Sequence, residues 1–182
     1  MLVKNSLHQR LAISGTMLAI SIVLGYFTSQ FKIGDTVVLK IGLAQLPIFF
    51  LSIVVGPKYG ATAGFVGDFI RALLSSAGAY NPFFGLTAAL AAALPGLFFH
   101  RKAARPALVK LYLVLLANQL LCSLLLNTLL IHWFYGTPLL LLLSTRVLAA
   151  VADPIILSLG CYGLLRLAEK NRFISFSAPS NH

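Results

Sequence analysis

Few side chains in this chain can do chemistry, and most of them are set in apolar sequence. Asn127 and Arg146 flank the hairpin NTLLIHWFYGTPLLLLLSTR, whose arms meet at the turn Tyr135-Gly136-Thr137-Pro138. With a rise of about 1.5 Å per helical residue, both groups fall roughly 10–12 Å below that turn. A buried amide and guanidinium are costly unless they face a cavity or each other. Trp133, Phe134 and Tyr135 rim the same turn. The hairpin therefore reads as one wall of a ligand pocket. Arg146 offers a planar fork of donors suited to a carboxylate, and Asn127 offers both a donor and an acceptor.

Further polar residues gather toward the same end. Gln45 opens the second apolar run, Asp68 and Arg71 close the third, and Asn81 and Thr87 bracket the start of the fourth. Tyr26, Phe27, Phe31, Tyr80, Phe83 and Phe84 lie there with the aromatics of the turn. Each has a plainer reading beside the binding one. Asp68 and Arg71 stand three residues apart and can pair on one helix face. Asn127 can act as glue between helices. Asp153, beside Pro154, reads as the partner of a helix kink, and it lies deeper than the rest together with Asn118 and Gln119. His132 reads as wetted at the interface, and aromatic belts form there with or without a ligand. Arg146 has no acid within one helical turn, which favours a ligand role. Polar groups confined to one half of the thickness describe an outward-facing cup, closed below, rather than a pore.

Several classes of chemistry are excluded. The phosphate-binding GxxxxGK[ST] run is absent, as are GxSxG and HExxH. Four acidic residues are too few to build a paired-carboxylate enzyme easily. Cys122 and Cys161 sit in apolar runs without a CxxC or Cys/His cluster, so neither a disulfide nor a metal site is expected. No catalytic residue and no cofactor are expected. Energy for any uptake has to come from a partner or an ion gradient.

The elements that must position these residues are membrane spans. The chain is 59% hydrophobic and 10% charged, with a mean hydropathy of +0.91; a soluble domain carries about 25% charged residues. Apolar runs fall at about 11–28, 43–55, 58–75, 83–100, 107–134 and 139–167 in a single membrane domain. The first run is read as a span and not as a cleaved signal peptide. FKIGDTVVLKIG, between the first two, suits a short β-like segment. The net charge of +10 reflects basic loops rather than nucleic-acid binding. With the N-terminus inside, ten basic residues (Lys4, Arg10, Lys58, Arg101, Lys102, Arg105, Lys110, Arg166, Lys170 and Arg172) face the cytoplasm, against Lys32 and Lys40 outside. That bias predicts an all-α plasma-membrane protein, a compact bundle of six transmembrane helices with both termini cytoplasmic.

Four stretches carry a family resemblance: LAISGTMLAISIVLGYF, LKIGLAQLPIFFLSIVVGPKYGATAGFVGDFIRALL, YNPFFGLTAAL and LLNTLLIHWFYGTPLLLLLSTR. VGPKYGATAGFVGD and NTLL…YGTP…R are the most specific parts. Together they resemble the S component, the membrane-embedded substrate-binding subunit, of energy-coupling factor (ECF) vitamin transporters, and within it the folate-specific branch. The resemblance implies a six-helix fold whose first extracellular loop, here carrying Lys32 and Lys40, is a lid over the vitamin. It implies direct contact with a transmembrane coupling subunit (EcfT) and an assembly containing two ATPases (EcfA and EcfA') that supply the energy. Gly15 and Ala19, with Ala12 and Thr16 as a second frame, match the family's small-residue motif for the coupling subunit, and small residues let helices approach closely. For folate, Arg71 and Arg146 would hold carboxylates, Gln45, Asp68, Asn81 and Asn127 would read the ring, and Phe84 and Tyr135 would offer stacking faces. Arg71 stands where the resemblance leads one to expect a small residue. Pantothenate is the alternative vitamin. A stand-alone secondary transporter is the rival outside the family, and it would want an internal repeat and deeper acids.

Overall fold

Inside a bilayer every backbone donor and acceptor has to be satisfied by the protein itself, and helices do this within one segment. The computed structural model describes residues 7–30, 42–74, 80–100, 106–136 and 139–170, without the side chains of 28–30, 135, 139–146 and 148–149. The regular structure among these residues is helical: α1 (Leu7–Gln30), α2 (Gln45–Val54), α3 (Pro57–Leu74) and α4 (Pro82–Phe99). Leu108–Asn118, Gln119–Leu126 and Asn127–Tyr135 run on as one helix, α5, whose middle segment is π-helical, and α6 is Leu139–Lys170. The β-like segment and the lid, with Lys32 and Lys40, lie outside the described residues.

Windows in α1, α4, α5 and α6 are long and apolar enough to cross a membrane. α3 carries Lys58, Asp68 and Arg71. α2 has ten residues, a rod of only about 15 Å. The chain is an integral membrane protein with α2 at its centre. Phe49, Leu51, Ile53 and Val54 of α2 pack with Leu111 and Leu115 of α5 and with Leu157, Cys161 and Leu165 of α6. Leu46 of α2 packs onto Gly160 of α6, where a side chain would collide with it.

Small residues bring α2, α3 and α4 together. A Cβ on Gly64 would sit 2.6 Å from Ala92 Cβ and 2.7 Å from the Ala88 carbonyl oxygen. The α2–α3 joint needs Gly56, whose φ of 134° is open to glycine and strained for other residues. His100 Nδ1 donates to the Ile53 carbonyl at 3.0 Å there and ties the end of α4 to the end of α2. Gly136, at φ 64°, closes α5 in the left-handed conformation typical of a helix stop.

Three links set α4 antiparallel to α5. Phe83 stacks on Phe134 with ring centroids 5.6 Å apart. Thr87 Oγ1 donates to Asn127 Oδ1 at 2.8 Å. Asn118 Nδ2 donates to the Ala91 carbonyl at 3.1 Å. The third follows from Pro95, which has no N–H and so leaves the carbonyl four residues back without its helical donor. That carbonyl is Ala91, and α5 supplies the missing donor.

Candidate functional site

Arg71 is near the C-terminal end of α3 and reaches over α1. Its Nη1 donates to Ser21 Oγ at 3.4 Å, and Ser21 donates in turn to the Ala44 carbonyl at 2.6 Å. Gly25 makes the room: a Cβ there would be 2.8 Å from Arg71 Cδ. Asp68 and Arg71 attract one another along α3, but the direct hydrogen bond of Arg71 crosses to α1.

Arg71 lines a cleft of about 40 Å³ together with Gln45 and Phe49 of α2, Gly64 of α3, and Ala88 and Ala91 of α4. That is space for about one water molecule, so a vitamin cannot lie wholly inside it. The cleft supplies contacts at one edge of a larger ligand. Alanine and glycine make half of its lining, with Ile48 and Phe49 the other apolar residues, which leaves the two polar side chains prominent.

A second polar group lies beside Gln45. Asp153 Oδ1 accepts from Gly42 N at 3.3 Å, and Oδ2 accepts from Gln119 Nε2 at 3.2 Å. Asp153 is thus more than a kink partner. Its carboxylate joins α6 to the first residue of the π segment and to the turn before α2. The sequence reading sets Asp153 deeper than most of the other polar residues and gives it no partner outside its own helix. α2 is short, so the turn at 42–44 reaches Asp153.

The remaining expected residues divide as follows. Gln45 and Arg71 share the cleft, and Asp68 is one helical turn from Arg71. Asn81 caps α4, its Oδ1 accepting from Phe83 N at 3.1 Å, with Pro82 next at the first helical position. Phe84 stands one turn before Thr87, whose hydroxyl shares its proton between Phe84 O and Asn127 Oδ1. Asn127 therefore joins two helices, whatever else it touches. Tyr135 ends α5 and Arg146 lies on α6, but both side chains are outside the described residues. Ala12, Gly15, Thr16 and Ala19 are exposed on α1, and a Cβ on Gly15 would meet nothing within 4 Å among the described residues.

Tyr80, just before α4, packs edge-on to Phe69 at 5.1 Å. Burial and the nearby Asp68 charge push its phenol above the usual value, so it remains a neutral O–H. The sequence reading sets Asn118, Gln119 and Asp153 aside because they lie deeper than the expected outer rim, and it does not single out Ser21, one small hydroxyl in an apolar run.

The fold and the site define a class: a helical membrane protein whose described residues form six helices around a small polar cleft. The family model "ECF-type riboflavin transporter, S component" matches residues 5–170, and the chain belongs to this family of ECF S components. Among known relatives, the folate transporter FolT of Clostridium novyi (strain NT) is 24% identical over 164 residues, which is 90% of this chain and 94% of that protein. A crystal structure of FolT bound with folic acid matches with a TM-score of 0.69 and 26% identity, covering 85% of this chain and 90% of that one.

Proposed function

We propose that this chain is the folate-binding subunit of an ATP-driven ECF importer. The observation that carries the choice of vitamin is Arg71, a cation held over α1 and lining the cleft with Gln45. A guanidinium in apolar surroundings favours a ligand that brings a carboxylate. Folate brings two, on a glutamate tail, together with a flat ring. Riboflavin, in the name of the family model, brings none. The similarity to FolT with folic acid bound supports the same reading. Arg146 on α6 is the proposed partner for the second carboxylate. Pantothenate has one carboxylate and no ring, and leaves Gln45 and Asp68 without a ring to read.

In this reading a transmembrane coupling subunit, EcfT, docks on the small residues of α1, and the ATPases EcfA and EcfA' hydrolyse ATP. The exposure of Ala12, Gly15, Thr16 and Ala19 supports that docking face. Both termini lie in the cytoplasm and the cleft opens outward. The test is titration of the purified full chain with folic acid, riboflavin and pantothenate. Saturable binding of folic acid, undisturbed by excess of the other two, is the expected result. Tight riboflavin binding with no folic acid binding would overturn the assignment.

A further inference from the structure

We propose that Ser21 and Gly25, one helical turn apart on α1, are positioning residues for the cleft: they set the Arg71 guanidinium and, through Ala44, the start of α2 at Gln45. This rests on the folate reading above and adds two residues of α1, which supplies none of the described residues lining the cleft.

Ser21 is 0% exposed and is the one buried side chain described on α1. A hydroxyl on an apolar helix ordinarily donates to the carbonyl four residues back in its own helix. Ser14 and Thr16 of α1 do so, to Arg10 O at 2.7 Å and Ala12 O at 2.9 Å. Ser21 instead donates across to Ala44 O at 2.6 Å, and its oxygen accepts from Arg71 Nη1 at 3.4 Å. One hydroxyl thus joins two elements, and each leads to a polar side chain of the cleft. Arg71 lines the cleft directly, and Ala44 precedes Gln45, which also lines it. α2 starts without a side-chain cap hydrogen bond at Ala44. Its first turn is held from other helices, by Ser21 at Ala44 O and by Asp153 at Gly42 N.

Gly25 lies four residues on, on the same face of α1. A Cβ there would be 2.8 Å from Arg71 Cδ and 3.4 Å from Ala44 Cβ. The first distance is closer than real Cβ contacts come, so a side chain at position 25 displaces the arginine stem. Arg71 is therefore seated at its stem by Gly25 and at its head by Ser21. A guanidinium held at both ends presents its planar fork in one orientation, as two parallel bonds to a carboxylate require. An arginine free to turn would have to be ordered by the ligand, and that ordering weakens binding.

The experiment titrates the full-length chain in lipid nanodiscs with folic acid and follows thermal unfolding alongside. Gly25→Ala is the leading variant, because alanine is favoured over glycine inside a helix. It is expected to weaken folic acid about tenfold or more, the scale of one hydrogen bond to a charged group, with no fall in unfolding temperature. In an Arg71→Ala background, where the stem is gone, the same change should alter affinity less than about twofold, since substitutions acting through one residue do not add. Ser21→Ala should also cost about tenfold, and that loss should shrink at least about threefold in both the Arg71→Ala and the Gln45→Ala backgrounds. Ser21→Cys, of similar shape with a weaker donor, takes its place if Ser21→Ala does not fold. Unchanged affinity in Gly25→Ala overturns the proposal. Losses of equal size in every background overturn it too, assigning both residues to packing while leaving folate binding intact. Coupling of Ser21 to Arg71 but not to Gln45 overturns the claim that one hydroxyl sets both. Failure of wild type to bind folic acid overturns the folate reading and this inference together.

Discussion

Arg71 serves the cleft and the joint between α1 and α2 at once, and two ligands can separate these duties. Arg71→Ala should weaken folic acid by about 2–5 kcal/mol, the usual cost of truncating one side of a buried charged pair. A carboxylate-free pterin should lose much less, because it never reached the guanidinium. Arg71→Lys should restore only part, since lysine lacks the planar fork. Equal losses for both ligands would mean that Arg71 acts through Ser21 and Ala44 alone. Thr87 and Asn127 carry a separate expectation. Thr87→Val and Asn127→Leu should be coupled by about 0.6 kcal/mol in a double-mutant unfolding cycle, the average for such bonds between membrane helices. At this scale the sequence was partly legible. Arg71 and Gln45 were readable because charge and amide stand out in apolar runs. Asp153 was not, because its partner Gly42 is 111 residues away and contributes a backbone amide, which no side-chain pattern announces.

Among the elements, the α3–α4 seam and the outer face of α1 make opposite expectations. Gly64→Val pushes a branched side chain against Ala92 and the Ala88 carbonyl; overpacking of this kind costs about 1–3 kcal/mol. Thermal unfolding in detergent should show it, and folic acid affinity should fall because the seam borders the cleft. On α1, a Cβ at Gly15 meets nothing within 4 Å among the described residues and Ala19 is exposed, so Gly15→Leu with Ala19→Leu enlarges an open face. Folic acid affinity should stay within about twofold, while ATP-driven uptake in membranes should be lost as close helix approach is blocked. Joint loss of binding and uptake would assign these residues to internal packing. The six helices were legible because apolar length and Gly-Pro breaks mark them. The π segment of α5 was not, since QLLCSLLL carries no composition that separates a π turn from an α turn.

The whole molecule makes its prediction through charge. Leu2→Cys and Ser180→Cys should resist a membrane-impermeant thiol reagent added to intact cells and react after the membrane is opened. Native Cys122 and Cys161 are buried and should contribute little background. Labelling of either new thiol from outside would reverse the orientation that the basic residues call for. The architecture also bears on how the chain is made. Pro95 leaves the Ala91 carbonyl waiting for a donor that is 27 residues further along, on Asn118. When α4 first leaves the ribosome, that donor has not entered the membrane. An unmatched carbonyl in hydrocarbon costs several kcal/mol, so α4 gains by lingering beside the insertion machinery until α5 follows. Entering lipid together as one hairpin would spare the two spans that cost, and the order of synthesis would then be part of the fold.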